Sequence, residues 1–121
     1  MIKENDSVNI LYVDRQENKD TVTKHLSSNG WCVDNAETIL NAMNKIGIKK
    51  YDFVLLDYTS ANNTEREQFI KCLQTWGILF AIVSTNGLVT KDSKIPIWNK
   101  ETELSTIAEN INKELAVQQL V

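Results

Sequence analysis

A doubly wound α/β fold, with a five-stranded parallel sheet between helical layers, is predicted by three observations. Short apolar runs enriched in β-branched and aromatic residues occur at 8–13, 31–33, 53–56, 78–83 and 95–98, each of strand length. Helix-period stretches lie between most of them. The connections are too long for tight hairpins, so successive strands are expected to pair in parallel through crossovers.

The elements follow in order. After the first run, residues 17–26 place Val22 and Leu26 one turn apart and close on Asn29-Gly30, a helix with a glycine stop. The second helix is expected over 37–46, with Ile39, Leu40, Met43 and Ile46 as its apolar stripe and Gly47 as its end. For the third, Thr64 is the expected N-cap, with Glu65 and Glu67 in the first turn, Phe69, Ile70 and Leu73 on the buried face, and Trp76-Gly77 at the end. The last helix, 102–118, repeats Leu104, Ile107, Ile111 and Leu115 at three- and four-residue spacing, with Thr102 able to cap. One link is short: ten residues, 85–94, separate Ser84 from the fifth run, and they include Asn86, Gly87, Asp92 and Ser93. A full crossover needs about a dozen residues or more, so the fourth crossover helix is expected to be short or missing.

Composition narrows the function. The 121 residues suit a single domain with its core at about 8–118, and 42% hydrophobic content is ordinary for a globular chain. A net charge of −3, with lysines and glutamates interleaved, leaves no basic patch for nucleic acid. The polar N-terminus has no signal-peptide core and no apolar run reaches the length of a membrane span, so a cytoplasmic location is expected. Cys32 and Cys72 stand without a CxxC or a histidine at ligand spacing and are expected to be reduced, buried thiols. His25 lies in the first helix, remote in sequence from any strand end, and reads as a partly exposed side chain rather than a relay histidine. Trp31, Trp76 and Trp98 read as packing residues. The turn after the first run has acids and no glycine, which disfavours a flavin, and no P-loop or dinucleotide fingerprint occurs.

The chemistry gathers at strand ends. The first run stops at Asp14, and the third, within Asp52-Phe53-Val54-Leu55-Leu56-Asp57, stops at Asp57; the fourth stops at Ser84 and the fifth at Lys100. In open parallel sheets, sites form beyond the carboxyl ends of the strands. Taken singly, a strand-end aspartate often only caps a loop and a lysine is usually solvated. Four such residues at four strand ends are more specific.

This constellation resembles the receiver domain of bacterial response regulators, over about 8–118. The resemblance implies a flavodoxin-like strand order 2-1-3-4-5, with Asp57 as the phosphoacceptor that takes a phosphoryl group from a histidine kinase or phosphotransfer protein. It further implies that Ser84 hydrogen-bonds the phosphoryl oxygens, that Lys100 neutralises their charge, and that Mg2+ is held by Asp14, Asp57 and the backbone carbonyl of Thr59. Signalling would then pass to a downstream protein partner, with no enzymatic activity beyond the domain's own phosphorylation and dephosphorylation.

Several positions depart from the family pattern. Arg15 stands where a second metal-binding acid is usual, so two carboxylates face Arg15 and Lys100 and weak metal binding is expected. The expectation includes an Arg15 guanidinium that pairs with Asp57 at rest or contacts a phosphoryl group. Ile97 replaces the switching aromatic, Trp98 beside it is expected to face the other side of the strand, Glu101 follows the lysine in place of proline, and the only proline is Pro96. Two readings stay open: a phosphorylated receiver, and a pseudo-receiver that binds proteins independently of phosphorylation. Sequence leaves open the oligomeric state, and whether the chain stands alone or is a segment of a longer regulator or hybrid kinase.

Overall fold

The structure is a computed structural model and describes residues 8–14, 19–58, 62–84, 95–99 and 104–119. The chain runs β1 (Asn9–Val13), α1 (Lys19–Ser27), β2 (Cys32–Ala36), α2 (Ile39–Ile48), β3 (Phe53–Asp57), α3 (Asn63–Trp76), β4 (Leu79–Ser84), β5 (Ile97–Asn99) and α4 (Leu104–Gln119). The five strands form one sheet in the order β2-β1-β3-β4-β5, every pairing parallel. This is the expected doubly wound, flavodoxin-like arrangement. The fourth crossover, 85–94, lies outside the described residues, as do Arg15, Thr59, Lys100, Glu101 and Thr102.

Alternation along the central strands divides the interior into two cores. On one face Ile10, Tyr12, Phe53, Leu55, Ala81 and Val83 meet Val22 and Leu26 of α1 and Ile107 and Ile111 of α4. On the other, Leu11, Val13, Val54, Leu56 and Ile82 meet Ala42 of α2 and Phe69, Ile70 and Leu73 of α3. β1 and β3 lie inside the sheet and are covered on both sides. That is why their sequences are apolar at nearly every position instead of alternating.

Helix ends show where local signals competed. Two N-cap signatures overlap before α3, Asn62-x-x-Glu65 and Thr64-x-x-Glu67, and the chain uses the first rather than the expected Thr64. Asn62 Oδ1 accepts from Glu65 N at 2.8 Å while Asn62 N donates to Glu65 Oε1 at 3.3 Å, a reciprocal capping box. Starting earlier sets Arg66 one turn into the helix, where it contacts Tyr58. At the other end Gly77 adopts φ 70°, the left-handed C-cap, as expected. Gly77→Ala is expected to cost about 1 kcal/mol in urea unfolding. An added Cβ would meet nothing within 4 Å, so the loss is confined to the backbone.

Other expectations need correction. α2 does not stop at Gly47 but runs to Ile48, with Thr38 as N-cap accepting from Asn41 N at 3.0 Å. Ile39 and Leu40 are consecutive and cannot share the buried stripe fully; Leu40 is 69% exposed and Ala42 takes the central place. β2 extends beyond Val33 to Ala36 because its whole length pairs with β1. Cys32 is exposed and Cys72 half-buried, both free, since β2 is an edge strand and Cys72 sits off the centre of the α3 face. Trp76, at the exposed end of α3, is 48% exposed and does not serve as a core residue. Trp31 and Trp98 do pack against the first core. No described helix is long and apolar enough to cross a membrane.

Candidate functional site

The carboxyl edge of the sheet holds the candidate site, and strand register builds it. Val13 pairs with Leu56, so Asp14 and Asp57 are the next residues on adjacent parallel strands. Asp57 pairs with Val83, and Ser84 with Asn99, which brings the ends of β4 and β5 alongside. Three of the four expected strand-end residues are therefore placed together, and the fourth, Lys100, directly follows Asn99 outside the described residues. Thr59 and Arg15 lie there too.

Burial marks these residues as unusual. Asp14 is 0% exposed, Asp57 2% and Ser84 4%, although aspartate and serine are mostly surface residues. Two buried carboxylates on neighbouring strand ends repel each other, so their ionised forms call for compensating donors or cations. Each of the three residues has at least one interaction partner. For Asp14 one is defined: the hydroxyl of Tyr12 donates to Asp14 Oδ2. Backbone pairing also ties this residue, since Asp14 N donates to Ala36 O at 2.9 Å.

Tyr12 escaped the sequence reading because it looks like one more large residue in an apolar run. A signal was present: it stands two positions before a strand-end acid, hence on the same face of β1. Burial raises its phenol well above the ordinary range, and the hydrogen bond to Asp14 and the charges of Asp14 and Asp57 add to that rise. The phenol thus stays protonated and remains a donor.

Asp52, at the other end of β3, does different work. Its Oδ2 accepts from Asn9 N at 2.8 Å, and its own N–H donates to Asn9 O at 2.8 Å, fastening the starts of β1 and β3. The same strand thus carries a register-setting acid at its amino end and a buried acid at its carboxyl end.

The residue after Asp57 is held by a second side chain that the sequence reading missed. Arg66 of α3 is buried, donates from Nη1 to Tyr58 O at 2.9 Å, lies over the Tyr58 ring at 3.8 Å and donates from Nη2 to Asn63 Oδ1. In sequence it reads as a solvated helix charge, and only its contacts with the Tyr58 carbonyl and ring reveal otherwise. Arg66→Leu is expected to lower stability by about 2 kcal/mol in urea unfolding, because the Tyr58 carbonyl loses its charged donor and the ring its cation.

At β5, Ile97 packs against the second core and Trp98 against the first, on opposite faces as expected. Trp98 stacks on Phe53 with centroids 6.0 Å apart and planes 12° from parallel. The position of the usual switching aromatic is therefore filled by a half-buried aliphatic. His25 lies on α1, part-buried, and its Nε2 has no hydrogen-bond partner among the described residues.

A metal would find hard oxygen donors here. Asp14 and Asp57 suit a small divalent cation that keeps several waters and takes one or two carboxylates. No group of three or more metal-ligating side chains occurs among the described residues, so the set is lean.

Comparison with solved structures agrees with this fold. The fold is similar to a response regulator from Thermotoga maritima, with TM-score 0.75 and 19% identity, covering 91% of this chain and 98% of that one. It is similar to a CheY-like response regulator receiver domain protein from Methanospirillum hungatei, with TM-score 0.76 and 20% identity, covering 93% and 97%. The N-terminal domain of a response regulator/sensory box/GGDEF three-domain protein from Carboxydothermus hydrogenoformans matches with TM-score 0.78 and 18% identity, covering 93% and 97%. No family model and no curated protein matches the sequence. At these identities the likeness establishes the receiver fold.

Proposed function

We propose, starting from a chain that folds as response regulator receivers fold, that this domain accepts a phosphoryl group on Asp57 in a two-component phosphorelay. The observation that carries the reading is the buried acid pair, Asp14 and Asp57, at the carboxyl edge of a parallel sheet with Ser84 at the neighbouring strand end. Buried carboxylates are unfavourable unless paired, and three polar residues at adjoining strand ends point to chemistry more than to capping.

In the step itself, an Asp57 carboxylate oxygen attacks the phosphorus of a phosphohistidine on a kinase or phosphotransfer protein. The P–N bond breaks as the P–O bond forms; the imidazole nitrogen takes the electron pair and the product is an acyl phosphate. Ser84 donates a hydrogen bond to the phosphoryl group, and Lys100 offsets its charge. Such transfer depends on positioning and charge compensation more than on covalent chemistry by the protein. Magnesium, bound by Asp14, Asp57 and the Thr59 carbonyl, would reduce repulsion between the carboxylate and the incoming phosphate. Arg15 supplies part of that charge and keeps the metal weak. The phosphorylated domain then changes its affinity for a downstream protein in the cytoplasm.

A second reading, a pseudo-receiver that binds partners without phosphorylation, is favoured by one structural fact. Ile97, an aliphatic residue packed against the second core, stands where receivers usually carry the switching aromatic. Intact mass after incubation with a small-molecule phosphodonor and Mg2+ separates the two. One phosphoryl adduct on the parent supports the receiver; none, under conditions that modify an ordinary receiver, supports the pseudo-receiver.

A further inference from the structure

We propose that Tyr12 is the positioning residue of the acid pair, its hydroxyl holding Asp14 beside Asp57 in the geometry a divalent cation requires. The inference rests on the metal-assisted reading of the site above and concerns a residue that this reading does not use.

Tyr12 is the largest fully buried side chain on β1, and its ring belongs to the core formed with α1 and α4. A buried phenol needs a partner for its O–H. Here the partner is Asp14 Oδ2, two residues along the same face, itself 0% exposed. The acid therefore has little room to change rotamer, and a core-anchored ring sets its position. Aliphatic residues at position 12 would fill the core and leave that oxygen without this donor.

This matters more here than in a site richly supplied with acids. With Arg15 in the place of a further carboxylate, Asp14 and Asp57 are the buried carboxylates at this edge among the described residues, and misplacement of either would weaken a large share of the binding. Groups that hydrogen-bond to metal-binding carboxylates set their orientation, and their removal typically lowers metal affinity about 10- to 100-fold.

The test is a Mg2+ titration of the full chain, followed by tryptophan fluorescence and checked by calorimetry, on the parent, Tyr12→Phe and Phe53→Leu. Far-UV circular dichroism establishes that each variant is folded before titration. Tyr12→Phe is expected to weaken Mg2+ binding about 10-fold or more. Phe53→Leu, which loosens the same core without touching an acid, is expected to stay within about twofold of the parent. An unchanged affinity in Tyr12→Phe overturns the proposal. So does an equal loss in both variants, because a loosened core would then explain it. A parent that binds no Mg2+ overturns the proposal together with the metal-assisted reading. Phosphoryl transfer to Asp57 is read separately by mass on the same samples, so its failure with the metal result intact refutes the phosphoacceptor alone.

Discussion

Asp57→Asn is expected to carry no phosphoryl group after incubation with phosphodonor and Mg2+, while the parent gains one. The amide matches the carboxylate in shape and keeps a carbonyl oxygen, so the buried strand end is retained, but an amide lacks the anionic oxygen that attacks phosphorus. Loss should be complete rather than partial. Asp14, the buried acid at the neighbouring strand end, is held by the Tyr12 phenol and by backbone pairing to Ala36. Peptide mapping of the parent adduct provides the sharper check. A phosphoryl group on Asp14, or one that persists in Asp57→Asn, would sink the assignment of the acceptor.

Phe53→Ala is expected to cost about 3–5 kcal/mol of folding stability, the range for removing a buried aromatic and leaving a partly unfilled cavity. Phe53 is 0% exposed at the start of β3, the strand that pairs with β1 on one side and β4 on the other. It also forms the platform on which Trp98 stacks. A total of about 5–15 kcal/mol is usual for a domain, so this single change removes a large share. Urea unfolding followed by tryptophan fluorescence measures it, and the native signal of Trp98 should change as its stacking partner disappears. A loss below about 1 kcal/mol would mean that the core closes over the gap, contrary to a rigid first core.

Much of the fold was legible because it is written in short periods. The 3.6-residue spacing of Ile107, Ile111 and Leu115 and the dense apolar runs at β1 and β3 are local patterns, and the sheet uses them as expected. Asp57 was legible for a similar reason: a carboxylate ending an apolar strand is costly unless the strand end has a task. Errors cluster where two local signals compete. Asn62 and Thr64 both offer a cap, and tertiary contact by Arg66 accompanies the choice of the first. Ile39 and Leu40 both offer an apolar face, and a helix can turn only one of them fully inward.

Tyr12 and Arg66 were not legible, because neither residue type announces its role. A tyrosine in an apolar strand looks like packing, and an arginine in a helix between glutamates looks solvated. What distinguishes them is a partner brought close by folding: Asp14 for the first, the Tyr58 ring and carbonyl for the second.

By itself, then, the sequence determined the kinds and order of the elements and the strand ends that carry acids and a hydroxyl, since these follow from periodicity and the cost of burying charge. The order β2-β1-β3-β4-β5 was expected through the family resemblance alone, and only the tertiary structure decided the register that sets Asp14 beside Asp57. Adjacency of residues more than forty positions apart depends on non-local pairing, which no local spacing encodes. The same pairing sets Asp57 beside the Asp14 carboxylate to which the Tyr12 hydroxyl donates.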